Sequence, residues 1–171
     1  MTHHARMHLG LRTPNRRDRR FHARIYGDAI LMRAIEPPLP PRAALRNAER
    51  AISRRRHERL READWIVQVT RRRAGVAGWR RHGNRLELGI ILLPEWQGQG
   101  LAVPVMRLLL EKATGLPGVD VLLIRHHPGN ARMAAVARAL GFLPQSGAEC
   151  DGMTWCLARE RGSACAPDGV S

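Results

Sequence analysis

Residues Leu86 to Ala113 read LELGIILLPEWQGQGLAVPVMRLLLEKA, and this stretch decides the fold. Leu86 to Leu93 is a short, nearly unbroken apolar run, the pattern of a strand buried on both faces. Pro94 ends it. Trp96 to Gly100 carries two glycines and reads as a turn. From Leu101 the apolar residues recur at helical spacing through Val105, Leu108 and Leu109 to Ala113. A strand, a glycine turn and a helix in that order form an anion cradle. The glycines allow close backbone approach, and the first free N–H groups of the helix point at the ligand.

Upstream of this stretch, Asp64 to Thr70 alternates around Trp65, Val67 and Val69, as a strand with one wet face does. Arg71 to Gly75 reads as a turn, Val76 to Arg81 as the next strand, and His82-Gly83-Asn84 as a tight turn into the central strand. These three strands predict an antiparallel meander. Downstream, Gly115 to Gly118 breaks the chain, and Val119 to Ile124 is a buried-type strand. Asn130 is a candidate N-cap. Met133, Val136, Ala137 and Leu140 then form one apolar helix face, stopped by Gly141 with Phe142 packing back. Gly152 to Arg159 places Met153, Trp155 and Leu157 on one face of a closing strand.

Upstream, Ile25 to Ile35 reads as a first strand, ended by Pro37-Pro38, and Arg42 to about Glu62 as a helix whose Arg54, Arg55 and Arg56 face outward. Met1 to Arg24 holds Arg16, Arg17, Arg19 and Arg20 among few apolar residues and is expected to be a disordered basic arm. Residues after Arg161 read as a loose tail. The expected organisation is therefore an arm at 1–24, one domain at 25–160 and a tail at 161–171. The expected fold is α/β (α+β), with a mixed, mostly antiparallel sheet of six to seven strands and about four helices.

The chain has 171 residues and a formal net charge of +14. Its length suits one domain with a real core. Lys112 is the only lysine, so the excess is arginine; it attracts anions such as CoA phosphates, acidic peptides or RNA. No apolar run reaches membrane-span length, and no signal-peptide core opens the chain. A cytoplasmic protein that does not engage a membrane is expected. Cys150, Cys156 and Cys165 give neither a disulfide framework nor a zinc pattern. His126-His127 and His3-His4 lack acidic or cysteine partners, so no metal site is expected. Phosphate-loop, dinucleotide and serine-hydrolase motifs are missing.

The segment Gln97-Gly98-Gln99-Gly100-Leu101-Ala102 resembles the Gln/Arg-x-x-Gly-x-Gly/Ala signature of the GCN5-related N-acetyltransferase (GNAT) family, and Asn130 to Gly141-Phe142 resembles its Asn-(x)n-Gly-Phe segment. A ribosomal-protein or peptide N-acetyltransferase branch is one reading within that family. The resemblance implies acetyl-CoA as acyl donor. It implies backbone contacts from Ile90, Ile91 and Leu92 to the pantetheine arm, and pyrophosphate contacts from Gln97, Gly98, Gln99, Gly100, Leu101, Ala102 and Val103. It further implies a contact from Asn130 to the CoA arm.

The implied reaction is attack of a primary amine on the thioester. Glu87, amid Leu86, Leu88 and Ile90, is the candidate general base, with a pKa raised by apolar surroundings. Where many members carry an acidic tyrosine, this chain has Ala137; its only tyrosine, Tyr26, is far upstream. The acceptor stays open among a protein N-terminus, a peptide and a small molecule, with an acidic pocket conceivable among Glu36, Glu49 and Glu62. Monomer and homodimer are both open. The competing readings are a basic nucleic-acid or ribosome-binding module acting through Arg16–Arg20 and Arg54–Arg56, with weak nucleic-acid contact, and a degenerate acyl-CoA-binding regulator.

Overall fold

A computed structural model describes residues 8–54, 58–145 and 153–158. Seven strands form one sheet in the order β1-β2-β3-β4-β5-β7-β6. They are β1 (Leu9–Arg12), β2 (Glu62–Val69), β3 (Arg72–His82), β4 (Arg85–Leu92), β5 (Val121–His126), β6 (Leu143–Pro144) and β7 (Met153–Ala158). The helices are α1 (Arg19–Gly27), α2 (Ala29–Met32), α3 (Pro41–Ser53), α4 (Ala102–Thr114) and α5 (Ala131–Ala139). Every strand pair is antiparallel except β4 with β5. The expected mixed, mostly antiparallel fold is what forms.

The meander closes through tight turns. Thr70 and Arg71 both take positive φ (47° and 67°), so two left-handed residues turn β2 into β3, and the turn lies earlier than Arg71 to Gly75. Gly83, at φ 61°, turns β3 into β4. Alternation along β4 then sorts its side chains. Leu86, Leu88, Ile90 and Leu92 join the main core under α4 and α5, with Val105, Met106, Leu109, Val136 and Phe142. Glu87, Gly89 and Ile91 fall on the opposite face, which α1 covers: there Ile25 packs with Ile66, Val76 and Leu93.

The N-terminal expectations are corrected. Residues 8–24 do not form a disordered arm, because three features offset their charge. Leu9 to Arg12 pairs with Ile66 to Val69 as an edge strand. Asn15 caps a short 3-10 turn, and Asp18, only 2% exposed, receives two hydrogen bonds from Arg12. α1 buries Ala23 against Ala44 and Ala48 of α3, and small residues let these helices approach closely. The domain therefore includes this segment. Ile25 to Ile35 is the end of α1 plus α2, not a strand; Asp28 caps α2 by accepting from the N–H groups of Ile30 and Leu31. The helix expected to reach Glu62 ends at Ser53. Arg54 does not face outward: its side chain is 9% exposed and binds Asp64 and Glu62 at 2.6 Å each.

Cys156 is buried and disulfide-bonded, where the sequence offered no disulfide framework. The expectations for His3-His4, Arg55, Arg56, Cys150, Cys165 and the 161–171 tail lie outside the described residues. Among the described residues no helix is long and apolar enough to cross a membrane.

Candidate active site

The central feature is a parting of two strands. β4 and β5 pair in parallel over Arg85–Leu88 and Val121–Ile124 and no further. Gly89, Ile90, Ile91 and Leu92 continue with no β5 partner among the described residues. An unpaired strand edge offers N–H and C=O groups to an extended ligand, as in strand addition. Ile90, Ile91 and Leu92, for which the family resemblance implied backbone contacts to a pantetheine arm, lie on this edge. The Leu92 carbonyl is already engaged, because it accepts from Gln97 Nε2 at 2.8 Å. Gln97 thus clips the following loop back onto β4. Its Oε1 accepts from Arg132 Nη1 at 3.3 Å, which brings a cation to the loop.

The loop leads to the start of α4. Gly98 and Gly100 both adopt φ +72°, the left-handed region where a side chain is strained. A Cβ built at either position would meet nothing within 4 Å. The bend is open to solvent, not plugged by side chains. Leu101 precedes the helix without a side-chain cap, and the N–H groups of Leu101, Ala102 and Val103 make no hydrogen bond among the described residues. Pro104 has none to offer, and Val105 N–H bonds Leu101 O. The Gln97 N–H is already given to Pro94 O, so Gly98 to Val103 form the run of open donors at the positive end of a thirteen-residue helix. Each contact between charge and helix start is worth about 0.3–1 kcal/mol, so a diphosphate is held only by several together.

At the parting lies a cavity of about 150 Å³, lined from the α1 face by Glu87 and Gly89 and from the core side by Leu88, Ile90 and Met133. Three rows of paired residues cross β2, β3 and β4 on the α1 face. Ile66, Val76 and Ile91 form the apolar row. Asp64, Gly78 and Gly89 form the next, so two residues without side chains make the cavity floor. Glu62, Arg80 and Glu87 form the third. Tyr26, Met32, Ile35 and Glu36 close the cavity from above, and Arg125 and Asn130 stand at the β5 end.

Glu87 lines this cavity with its side chain 30% exposed. The apolar sheath read from its neighbours is absent, since Leu86, Leu88 and Ile90 point to the opposite face. Glu87 instead faces His82 Nε2 and Arg125 Nε, each 3.8 Å from Oε2, too long for hydrogen bonds. The carboxylate is near two basic groups and tied to neither. Asn130 caps α5 through Oδ1 to Met133 N–H at 3.1 Å, as its position in the sequence suggested, and it also lines the cavity. Ala137 is fully buried in the main core and offers no polar side-chain atom to the site.

Several residues at the site have no signal in the sequence. Tyr26 donates its hydroxyl proton to Asp64 Oδ1 at 3.2 Å, although thirty-eight residues separate them. Burial first, and then the charge of Asp64, push the Tyr26 phenol well above its ordinary value, so it stays protonated. Burial works to raise the Asp64 carboxyl, but His22 and Arg54 outweigh it and the carboxyl stands below its usual value. Arg54 at 2.6 Å is the firm contact; His22 Nε2 at 3.8 Å is beyond hydrogen-bond range, and both ring nitrogens of that buried histidine lack a hydrogen-bond partner among the described residues. His126 is the last residue of β5. Its Nε2 accepts from Trp155 Nε1 at 2.8 Å, and its Nδ1 lies 2.8 Å from His127 O, which fixes the Nδ1–H tautomer and occupies both nitrogens. Gly78 and Gly89 were the one available hint, since glycine inside a strand marks close approach of a ligand or backbone.

Residues 8–143 match the family model described as "Acetyltransferase (GNAT) domain". The chain belongs to the GNAT family. Among solved structures, it is similar to a ribosomal L7/L12 α-N-protein acetyltransferase in complex with coenzyme A, with 17% identity, 88% of this chain and 93% of that chain covered, and a TM-score of 0.73. A spermidine N-acetyltransferase from Vibrio cholerae, solved with CoA and spermine, aligns at 18% identity over 88% of this chain and 95% of that one, with a TM-score of 0.72. An aminoglycoside acetyltransferase in complex with coenzyme A gives 15% identity over 90% and 96%, with a TM-score of 0.72. At such identities these likenesses establish the GNAT fold. No curated protein matches this chain in sequence. Among the described residues no group of three or more His, Cys, Asp or Glu is placed to hold a metal ion.

Proposed function

We propose that this GNAT protein transfers an acetyl group from acetyl-CoA to a primary amine. The observation that carries the reading is the parting of β4 from β5 at Leu88, with an open donor loop on one side of it and a carboxylate-bearing cavity on the other. The diphosphate would rest on the N–H groups from Gly98 to Val103, the Gln97 N–H being held by Pro94 O. The pantetheine arm would pair with Gly89 to Leu92, and Asn130 would meet it from α5 with its free amide. The thioester then reaches the gap between the strands, and the amine approaches from the cavity.

The amine arrives as an ammonium and must lose a proton before it can attack. Glu87 is the base in this reading. It stands two residues before Gly89 on the same face, about 7 Å along the strand, a span that its side chain and one water together cover. The amine nitrogen bonds to the thioester carbon, the C–S bond breaks and the sulfur leaves with the electron pair. In total an ammonium and acetyl-CoA give an N-acetylamine, CoA thiol and one proton. With Ala137 apolar, the departing thiolate takes its proton from solvent.

Binding of acetyl-CoA by isothermal titration, followed by thiol release with an amine panel, tests this reading. Heat of binding together with amine-dependent thiol release supports it; no heat at millimolar acetyl-CoA overturns it.

Part of the arginine excess is paired with carboxylates of the same chain. Arg19 pairs with Glu49, and Arg54 with Glu62 and Asp64, which weakens the case for a nucleic-acid surface at those positions.

A further inference from the structure

The cavity beside the parted strands has a charge unlike that of the chain. Glu36, Glu62, Asp64 and Glu87 line it against Arg80 and Arg125. Arg54 contacts two of the carboxylates from behind, so four negative groups meet three positive ones in a protein of formal charge +14. Most of these are chained together: Glu36 to Arg80 at 3.1 Å, Arg80 to Glu62 at 3.7 Å, Glu62 to Arg54 and Arg54 to Asp64 at 2.6 Å each.

The far end of the cavity is built to accept hydrogen bonds. Tyr26 gives its only proton to Asp64 Oδ1, so its oxygen faces the cavity as an acceptor polarised by that donation. Asp64 Oδ1 leans over Gly78, where an added Cβ would come within 3.0 Å of it. The floor from Asp64 over Gly78 to Gly89 crosses two strand spacings, about 10 Å. Gly89 is exposed, and a Cβ there would meet nothing within 4 Å. Met32 and Ile35 above, with Val76 and Ile91 alongside, give the trough apolar walls between its polar ends.

We infer that the acceptor is an aliphatic amine with a second ammonium, and that Tyr26 and Asp64 hold that second ammonium at the closed end of the glycine-floored trough while the first reacts beside Gly89. This rests on the acetyltransferase reading above and deepens it. Tyr26 and Asp64 are specificity-determining residues here, not proton donors, because the phenol proton is committed to the carboxylate. The volume of about 150 Å³ equals the liquid share of roughly five water molecules, room for a short alkyl chain. A carboxylate-bearing amine is disfavoured by the same charge excess that favours the diamine.

The test uses the full chain with α,ω-diaminoalkanes of increasing length and n-alkylamines of matching length, read by thiol release. The diamine is expected to exceed its matching monoamine by about tenfold or more in kcat/KM, as one charged hydrogen-bonding site supplies. Because Asp64 Oδ1 already reaches over Gly78, the excess should peak where the two nitrogens are between one and two strand spacings apart, about 5–10 Å. Tyr26→Phe and Asp64→Asn should shrink the ratio, chiefly through the KM for diamine, while acetyl-CoA affinity by titration is unchanged. Gly89→Val should keep its thermal midpoint and lose diamine turnover. Equal rates for diamines and monoamines, a ratio unmoved in Tyr26→Phe, or no turnover of any diamine by protein that binds acetyl-CoA would overturn this inference alone. Failure to bind acetyl-CoA would instead remove the enzymatic reading beneath it.

Discussion

Arg54 Nη1 lies 2.6 Å from Asp64 Oδ2, and the two side chains are 9% and 10% exposed. Ten residues separate them, and the residue that ends α3 thereby pins the wall of the cavity. Breaking a buried ion pair from one side leaves an uncompensated charge and costs about 3–5 kcal/mol. Arg54→Met is therefore expected to lower the denaturant midpoint by a corresponding amount, with the m-value unchanged. A variant as stable as the parent would show that water, not Arg54, compensates Asp64.

The same carboxyl sets an acid limit. The Asp64 carboxyl stands below its ordinary value in the folded protein, and so does Asp18, where burial is outweighed by the hydrogen bonds from Arg12 and the Asn15 N–H. A depressed carboxyl contributes stability that is complete above its unfolded value, about 3.9, and is lost as pH falls through the lower folded value. Thermal midpoints should hold from neutrality to about pH 5 and fall below about pH 4. Asp18→Asn should flatten part of that fall. An identical acid profile in Asp18→Asn would contradict the assignment.

Glu87→Gln removes the proposed base without changing size. Turnover should drop by about 100-fold or more, the usual contribution of a general base, while acetyl-CoA titrates as before. Equal turnover would discharge Glu87 from the role and leave water as the acceptor of the proton.

Gly100→Val tests the donor loop. Space exists for the added side chain, so only the backbone conformation is opposed, at about 1–2 kcal/mol. Acetyl-CoA affinity should weaken about tenfold as the loop shifts, with little change in amine specificity. Loss of amine selectivity at constant acetyl-CoA affinity would place the loop on the wrong side of the chemistry.

Gly75→Ala is a test of the sheet alone. A Cβ there would collide with the Ile91 carbonyl oxygen and crowd the Leu92 Cα, both backbone atoms of β4 that cannot swing aside. A loss of about 1–3 kcal/mol in stability is expected, as for overpacking elsewhere. An unchanged melting profile would mean that β3 and β4 separate more easily than their register suggests.

The sequence by itself determined the centre of this protein. Alternation and apolar runs from Trp65 to Leu93, and helical spacing from Leu101 to Ala113, are local patterns, and local pattern suffices where neighbouring residues also pack together. Asn130 was legible for the same reason, because a cap acts on the N–H three residues ahead. The first half was less legible. Ile25 to Ile35 is rich enough in apolar residues to pass for a strand, and only packing of Ile25 against Ile66 and Val76 makes it helical. Leu9 to Arg12 has too few apolar residues to announce a strand; its pairing with Ile66 to Val69 supplies the order.

Only the tertiary structure decided what surrounds the chemistry. Glu87 looked sheathed in leucines along the chain, yet a strand sends alternate side chains to opposite faces, so its real neighbours are His82 and Arg125. The row from Asp64 over Gly78 to Gly89, and Tyr26 reaching down from α1, exist because three strands share a register and one helix lies across them. Charge and register act across space between residues far apart in sequence, and no reading of a linear pattern contains those distances.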